Sequence, residues 1–359
     1  MDHMDHDVDQ TSSSSELSQA ESLETLDTFD EDTDEDTPLL PQKPMRLDKA
    51  IVDQFGTYSR TFLSEKIRQG HVTVNGTIQK SPSLKVLATD AFTLSDVTPP
   101  SQEHLIATEM PLDIVFEDPD IIVLNKPSGL VVHPAPGHSS GTLLNGLLHH
   151  CGHQNLAQVD NPIRPGIVHR LDKETSGLIV VAKTIDAFHG LKSQFHDRAL
   201  SRQYIALVWG TPVPAVGIIS RPMERHPRDR KRMRVLREGG KEAITHYQVS
   251  HRFGSLVSQI SCQLKTGRTH QIRAHLANMG HGILGDKLYG LPYQGEAATE
   301  LKQEMATLLS GTRHCLHACA LKFYHPLTGE PLSFTVPLPA DFTALTDYLA
   351  KRYAETSNH

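Results

Sequence analysis

Cysteine, tryptophan and long apolar runs are all scarce in this chain of 359 residues. It has four cysteines and one tryptophan, and aromatic residues make up 6% of the sequence. Four cysteines at this length do not form a disulfide framework, which favours a reducing compartment. No apolar run approaches the ~20 residues that span a bilayer, and the first residues are acidic and serine-rich, unlike a secretory signal. These absences predict a cytoplasmic protein without a membrane partner.

Motifs that hold cofactors are also missing. No G-x-G-x-x-G follows a predicted strand, and the phosphate-binding G-x4-G-K-[ST] does not occur. The clusters HHCGH (149–153) and HCLHAC (314–319) lack the paired C-x2-C spacing of a zinc site. In the second cluster Cys315, His317 and Cys319 alternate, as small residues on one face of a strand do. We therefore predict no cofactor and no metal.

Charge is distributed unevenly along the chain. The net charge is -7, but residues 1–40 contain 14 acidic residues and no Lys or Arg, which leaves 35 basic against 28 acidic residues elsewhere. Residues 1–43 have too little apolar surface to offset the entropy of ordering, so we predict a disordered acidic tail. The positive remainder is compatible with a nucleic-acid partner.

Residues 44–96 have the pattern of a small domain with two short helices and a hairpin. Apolar residues recur at helical spacing, Ser59 is a candidate N-cap, and HVTVNGTI contains an Asn-Gly turn. The basic residues Arg46, Arg60, Lys66 and Arg68 fall on the polar helix faces, which by charge alone fits either RNA binding or a solvated surface. The segment resembles the S4 RNA-binding domain over nearly its whole length, and that resemblance implies RNA binding. Residues 97–111, with three prolines, are predicted to be a linker.

Residues 112–359 form the predicted large domain. SRQYIALVWG, AITHYQVSHRF and LVSQISCQL have the pattern of strands, and LHACALKFYHPLTGEPLSF of two strands joined by a turn. TLLNGLLHH, THQIRAHLANMG and TIDAFHGLKSQFHD, with Thr184 as its cap, are predicted helices. Strands outnumber helices and are joined by short turns, which predicts an α+β domain with a mixed, mainly antiparallel sheet.

The segment HRLDKETSG, residues 169–177, lies between two apolar runs and is predicted to be a loop between buried strands. By spacing alone, Asp172 is a turn residue or half of a surface ion pair with Arg170 or Lys173. A pairing of Asp172 with Glu174 as the two carboxylates of a glycosidase is a further alternative, although no sugar-stacking aromatic residues lie nearby.

A resemblance favours a different role for Asp172. RPGIVHRLDKETSGLIVVAKT is similar to the signature of pseudouridine synthases of the large-subunit ribosomal RNA type. Further similar motifs follow the family's order: VLNKPSGLVVHP, SRQYIALVWG, LKTGRTHQIRAHL, GDKLYG and LHACALKFYHPLTG. The resemblance spans about 225 residues. Glu174 and Ser176 are conservative departures, and the acidic N-terminus is a larger one.

The resemblance implies roles for three residues. Asp172 is the catalytic carboxylate, Arg273 of HQIR keeps it ionised, and Tyr204 stacks on the uracil of a uridine that leaves its base stack. Arg170 is the local alternative to Arg273 as the partner of Asp172, and we expect it to order the loop or hold a phosphate. Isomerising uridine to pseudouridine oxidises nothing and transfers nothing to a second molecule, so no cofactor is expected.

The stretch from residue 221 to 241 contains nine Lys and Arg. Two prolines and two glycines predict an exposed loop, in which Arg228, Arg230, Lys231 and Arg232 are candidates for phosphate contacts. A nuclear-localisation signal and an ordinary solvated loop are the alternatives. The expected partner is large-subunit ribosomal RNA or the assembling large subunit, with a monomeric enzyme. The alternative function is a noncatalytic RNA-binding ribosome-assembly factor on the same fold.

Overall fold

A computed structural model describes residues 44–55, 58, 60–95, 105–134, 138, 140–152, 155–157, 164–290, 293–309 and 313–354. The predicted tail at 1–43, residues 97–104 of the predicted linker and the candidate cap Ser59 lie outside these residues.

The N-terminal described segment contains two helices and short strands. They are β1 (Met45–Arg46), α1 (Leu47–Gln54), α2 (Arg60–Gln69), β2 (Val72–Val74), β3 (Thr77–Gln79), β4 (Lys85–Val86) and β5 (Phe92–Leu94). The predicted hairpin is confirmed, because β2 and β3 pair across Asn75 and Gly76, which both have positive φ as such a turn requires. The apolar faces of the two helices, including Ile51 and Ile67, are buried against this sheet.

The remaining described chain carries the larger set of elements. They are β6 (Ile114–Glu117), β7 (Ile121–Lys126), α3 (Leu143–Cys151), β8 (Ser176–Ala182), α4 (Ile185–His196), β9 (Ser201–Trp209), β10 (Val216–Ser220), β11 (Met223–Arg225), β12 (Met233–Val235), β13 (Ile244–Phe253), β14 (Val257–Leu264), α5 (Gln271–Asn278), α6 (Glu296–Leu308), β15 (Leu316–Tyr324), β16 (Pro331–Thr335) and α7 (Ala340–Ala354).

One sheet organises these elements. Its strand order is β10-β13-β14-β9-β15-β8-β7-β6, with β16 also paired to β15. Among the described strands of this sheet, β8 and β15 are the one parallel pair, with Ser176 opposite His317 and Gly177 opposite Ala318. The predicted α+β class with a mainly antiparallel sheet is therefore confirmed.

Apolar residues are buried on both faces of the sheet. Strand β8 is buried at every residue, so its side chains contribute to both cores. On one face α4 packs through Phe188 and Leu191, and its predicted cap is confirmed, because the Thr184 hydroxyl accepts a hydrogen bond from Ala187 N. On the other face α3 and α7 pack through Leu144 and Phe342.

The basic stretch at 221–241 departs from its prediction as a loop. It contains the antiparallel pair β11 and β12, with Met223 opposite Val235. These residues and Met233 pack against Ala274 of α5 and Tyr289, which explains why the strands form in so polar a sequence. We call residues 221–241 the basic hairpin. In the described part of the chain, no helix is long and apolar enough to cross a membrane.

We expect Gly177→Ala to destabilise the fold strongly. Gly177 has φ +111°, and an added Cβ would lie 2.2 Å from the Ala318 carbonyl oxygen on the parallel neighbour strand. The combined clash and backbone strain should lower the free energy of unfolding by roughly 3 kcal/mol, measured by chemical denaturation.

The matched control is Gly329→Ala. Gly329 has φ +75° with nothing within 4 Å of an added Cβ, so it tests the strain without the clash. We expect a loss of about 1 kcal/mol for this variant. Equal losses for the two variants would contradict the close approach of β8 and β15.

Candidate active site

A cavity of about 440 Å³ lies where the loop before β8 meets β9 and the start of α5. Its lining comes from distant parts of the chain and includes His133, Arg164, His169, Arg170, Asp172, Phe195, Arg202, Tyr204, Arg268, His270 and Arg273. All four residues predicted to contact the substrate, Asp172, Tyr204, Arg170 and Arg273, therefore border one cavity.

Asp172 projects into this cavity from the loop before β8. Its carbonyl accepts a hydrogen bond from Thr175 N at 3.1 Å, which closes the turn, and its side chain is 14% exposed. Carboxylate Oδ2 accepts a hydrogen bond from Arg273 Nη1 at 2.9 Å. Burial acts to raise the pKa of this carboxyl, but in the acid range where Asp172 titrates a protonated His270 and Arg273 outweigh burial and hold the pKa below its ordinary value. Asp172 is therefore ionised at neutral pH.

A second carboxylate fixes Arg273. Asp286 accepts hydrogen bonds from Arg273 Nε at 2.7 Å and from Nη2 at 3.0 Å, a bidentate pair. Its Oδ1 also accepts hydrogen bonds from the backbone N–H groups of Leu288 and Tyr289. Although burial opposes the charged form, the two carboxylates raise the pKa of Arg273. Asp286 thus aims one guanidinium nitrogen at Asp172.

Tyr204 lies on β9 and is 6% exposed. Burial raises the pKa of its phenol against the opposing charge of Arg202, so the hydroxyl stays protonated at neutral pH. The ring therefore offers the cavity a flat, neutral surface within the same pocket as the ionised Asp172.

Arginines surround the rest of the cavity. Arg170 is exposed, and its side chain has no ion pair or hydrogen bond with a described residue. Arg202 is 9% exposed, and its Nε has no hydrogen-bond partner in the described chain. Arg164 and Arg268 also line the cavity. Such a set of cations suits a ligand that carries phosphates.

Buried polar contacts hold the loop that carries Asp172. Lys126 Nζ donates to the carbonyls of Pro127, Leu130 and Lys173 at 2.8–3.0 Å. Burial lowers the pKa of Lys126 to about 7.

The far end of the same loop is held from β15 and the segment before it. The Thr175 hydroxyl lies 2.7 Å from His314 Nε2, and the Ser176 hydroxyl lies 2.9 Å from His317 Nδ1. Arg313 Nη2 also donates to the Ser176 hydroxyl and pairs with Asp341 at the start of α7. The backbone on both sides of Asp172 is thereby anchored in the sheet.

Comparisons with known proteins agree with this geometry. A family model described as RNA pseudouridylate synthase matches residues 120–278, and an S4 domain model matches residues 45–91. A Vibrio parahaemolyticus protein named ribosomal large subunit pseudouridine synthase D is 43% identical over 311 residues, covering 86% of this chain and 92% of the relative.

A protein of Synechocystis named uncharacterized RNA pseudouridine synthase is 40% identical over 310 residues, covering 86% of this chain and 90% of the relative. The chain belongs to the RNA pseudouridine synthase family. The solved structure of human RNA pseudouridylate synthase domain containing 4 matches with a TM-score of 0.50 and 28% identity, covering 66% of this chain and 92% of that one. The predicted resemblance is confirmed, and the isomerase interpretation is favoured over a noncatalytic factor.

Glu174 does not join Asp172 in the cavity of this synthase. It is absent from the residues that line the cavity, and its Oε2 accepts a hydrogen bond from the Ser128 hydroxyl at 3.3 Å. Among the described residues that line the cavity, Asp172 is the one carboxylate, so the pair that the glycosidase alternative requires is not present there.

Two groups of basic residues were predicted to bind RNA. In the N-terminal domain Arg46 and Arg60 both pair with Asp48, at 2.9 and 3.0 Å, Arg68 pairs with Glu65, and Lys66 Nζ lies 5.5 Å from the Phe62 ring centroid. In the basic hairpin Arg228, Arg230, Lys231 and Arg232 are exposed, and none forms an ion pair with a described acidic residue. Their binding roles remain predictions.

The HHCGH cluster lies beside Glu117. His150 Nε2 is 2.8 Å from Glu117 Oε2, and Cys151 is close enough to complete a group of three donors, whereas His153 lies outside the described residues. Lys183 already pairs with the Glu117 carboxylate at 2.7 Å. Its ammonium group would repel a metal cation bound to this group of donors.

We expect Arg273→Lys to move the acid limb of the pH–rate profile to higher pH. The sequence predicts that Asp172 is the catalytic carboxylate, and on that prediction activity is lost as pH falls through its pKa. A compact ammonium cannot pair with two carboxylates bidentately, so that pKa rises in the variant. We also expect kcat to fall roughly 10- to 100-fold through misplacement of Asp172.

The matched control is Arg252→Lys, an exposed arginine on β13 away from the cavity. It should leave both the profile and kcat unchanged. An unchanged acid limb in Arg273→Lys would contradict the electrostatic role of Arg273.

Proposed function

We propose that this synthase isomerises specific uridines of large-subunit ribosomal RNA to pseudouridine, with Asp172 as its catalytic residue. The observation that carries the proposal is a single ionised carboxylate, paired with Arg273, in a cavity that also contains a neutral tyrosine ring. The relative named ribosomal large subunit pseudouridine synthase D, similar over 92% of its length, supports this RNA as substrate.

The reaction needs one carboxylate and no external reactant. The bond between C1′ and N1 of the uridine breaks, the uracil turns, and C5 bonds to C1′. The proton on C5 is released, and N1 gains a proton, so no atom or electron is transferred to another molecule. Asp172 either adds to C1′ as a nucleophile or removes the proton from C2′ to generate a glycal. Both routes require the ionised form that Arg273 maintains.

The target uridine must leave its base stack to reach Asp172. Unstacking costs a few kcal/mol, and stacking on an aromatic ring recovers part of that energy. A cavity of about 440 Å³ is within the size range of sites for small ligands. We assign the stacking surface to Tyr204.

The cavity arginines are assigned to the phosphates beside the flipped nucleotide. Arg170 lies two residues from Asp172 and has no competing partner in the described chain. Arg202 places a guanidinium with an unused Nε at the same cavity. Phosphate oxygens at these positions would orient the ribose toward Asp172.

Binding of a large folded RNA is assigned to two further surfaces. The S4 domain and the basic hairpin both present exposed cations outside the cavity. Either the RNA or an assembling subunit fits this arrangement. We also propose that the enzyme is monomeric and acts in the cytoplasm.

We expect Asp172→Asn to abolish tritium release from ribosomal RNA labelled at uridine C5. The amide has nearly the same shape but no negative charge, so the rate should fall roughly 10⁴-fold or more while RNA affinity persists. Thermal unfolding checks that the variant is folded.

Glu174→Gln is the matched control, because its carboxylate lies outside the cavity. It should release label at nearly the wild-type rate, whereas a glycosidase would lose activity. Release of label by Asp172→Asn at the wild-type rate would refute the assignment. A wild-type protein that binds the RNA but releases no label would instead be the noncatalytic factor.

We expect neutralising the basic hairpin to weaken RNA binding and its dependence on salt. In the triple variant Arg228→Gln, Arg230→Gln, Lys231→Gln, the slope of log K against log salt should decrease by about 0.7–0.9 for each phosphate that the protein no longer neutralises. The kcat at saturating RNA should not change, because these side chains lie outside the cavity.

The control replaces three exposed cations elsewhere, Arg252, Lys322 and Lys351, with glutamine. Net charge changes equally in both triple variants. Equal slopes of log K against log salt in the two triple variants would show that the basic hairpin does not bind phosphates specifically.

A further inference from the structure

His270 has an unusual backbone at the edge of the cavity. Its φ of +54° and ψ of +23° place it in the left-handed region at the N-cap of α5. Three described residues other than glycine have positive φ, and His270 is the one among them that lines the cavity. This conformation costs free energy and persists where the surroundings enforce it, often at functional sites.

The two ring nitrogens of His270 face different partners. Nδ1 lies 3.0 Å from the hydroxyl oxygen of Tyr289. Nε2 lies 3.8 Å from Oδ1 of Asp172, the carboxylate oxygen that Arg273 does not bind. This distance exceeds a hydrogen bond, and a small rotation of either side chain would close it.

The hydrogen bonds of Tyr289 favour one tautomer of His270 over the other. The backbone N–H of Met233 donates to the Tyr289 oxygen at 2.7 Å. The single hydroxyl hydrogen is then free to be donated to His270 Nδ1, which acts as the acceptor. In a neutral imidazole the remaining proton is on Nε2, directed toward Asp172.

Burial favours the neutral form of the His270 imidazole. Burial lowers the pKa of His270 despite the opposing charge of Asp172. The other charged groups that act on it are Arg273 and Arg170, which also lower the pKa, and Asp286, which raises it. The guanidinium carbons of Arg273 and Arg232 lie 5.1 and 5.4 Å from the Tyr289 ring centroid.

We propose that His270 is a positioning residue for Asp172, held by Tyr289 with its proton on Nε2. Arg273 holds Oδ2, and His270 supplies an N–H to Oδ1 when the nucleotide closes the cavity, so the two donors set the plane of the carboxylate. The chain of donors begins at Met233 on β12, which connects the basic hairpin to the reacting carboxylate. This role rests on the proposed function.

Tyr289→Phe tests the hydroxyl alone. The ring and its contacts with both guanidinium groups remain, but Nδ1 loses its donor. We expect kcat for tritium release to fall roughly 10- to 100-fold with KM for the RNA unchanged. Tyr293→Phe, at a ring that stacks on Trp209 outside the cavity, is the control and should behave as wild type. Wild-type kcat in Tyr289→Phe would overturn the proposal.

Two replacements of His270 separate positioning from backbone fit. Glutamine extends an amide N–H to about the position of Nε2, whereas asparagine is shorter but tolerates the left-handed backbone better. Positioning predicts that His270→Gln retains the higher kcat although His270→Asn is the more stable protein. Higher activity in His270→Asn would assign His270 a purely structural role.

Nitrogen NMR of protein with ¹⁵N-labelled histidine measures the tautomer of His270 independently of enzyme activity. The His270 signals are those that disappear in His270→Gln. We expect the proton on Nε2 in wild type and a mixture of tautomers in Tyr289→Phe. A proton on Nδ1 in the wild-type protein would overturn the role proposed for His270. Failure of the proposed function would appear separately, as wild-type protein that releases no tritium.

Discussion

The bridge of Arg273 between Asp172 and Asp286 is the interaction on which the site depends. Burial alone would favour a protonated Asp172, and a protonated carboxyl can neither attack C1′ nor remove a proton. The Arg273 guanidinium opposes burial together with His270, and it can do so because Asp286 binds it bidentately and leaves Nη1 for Asp172. Backbone N–H groups fix Asp286 in turn, so the position of the charge is set by the chain.

The central strands of the sheet supply the rigidity that this bridge needs. The loop with Asp172 runs into β8, which is buried along its length between β7 and β15. Lys126 Nζ donates a hydrogen bond to the Lys173 carbonyl on one side of the loop, and Arg313 donates a hydrogen bond to the Ser176 hydroxyl on the other side. The cations proposed to bind RNA lie instead on exposed arginines and on the basic hairpin. The proposed chemistry therefore takes place on a fixed scaffold, and the proposed contacts with the polyanionic substrate come from more exposed groups.

Sequence patterns predicted the local structure well because local structure has local causes. Thr184 as a cap, the alternating strands and the Asn-Gly turn follow from periodicity and turn chemistry. Arg273 and Asp172 lie 101 positions apart, so their contact came only from the family resemblance. Asp286 and His270 were missed, because their roles arise from tertiary packing. The motif GDKLYG does contain Asp286, but the motif alone gives it no partner. The strands of the basic hairpin were missed because Met223, Met233 and Val235 are too few to show a period.

A titration of Asp172 itself is the sharpest test of whether the Arg273 bridge keeps this carboxylate ionised. Carbon NMR of protein labelled at the aspartate carboxyl carbon, with Asp172→Asn to assign the signal, would follow its titration without substrate. The account predicts a pKa below the ordinary value of about 3.9 in wild type and a higher one in Arg273→Lys. A wild-type pKa at or above that ordinary value would contradict it.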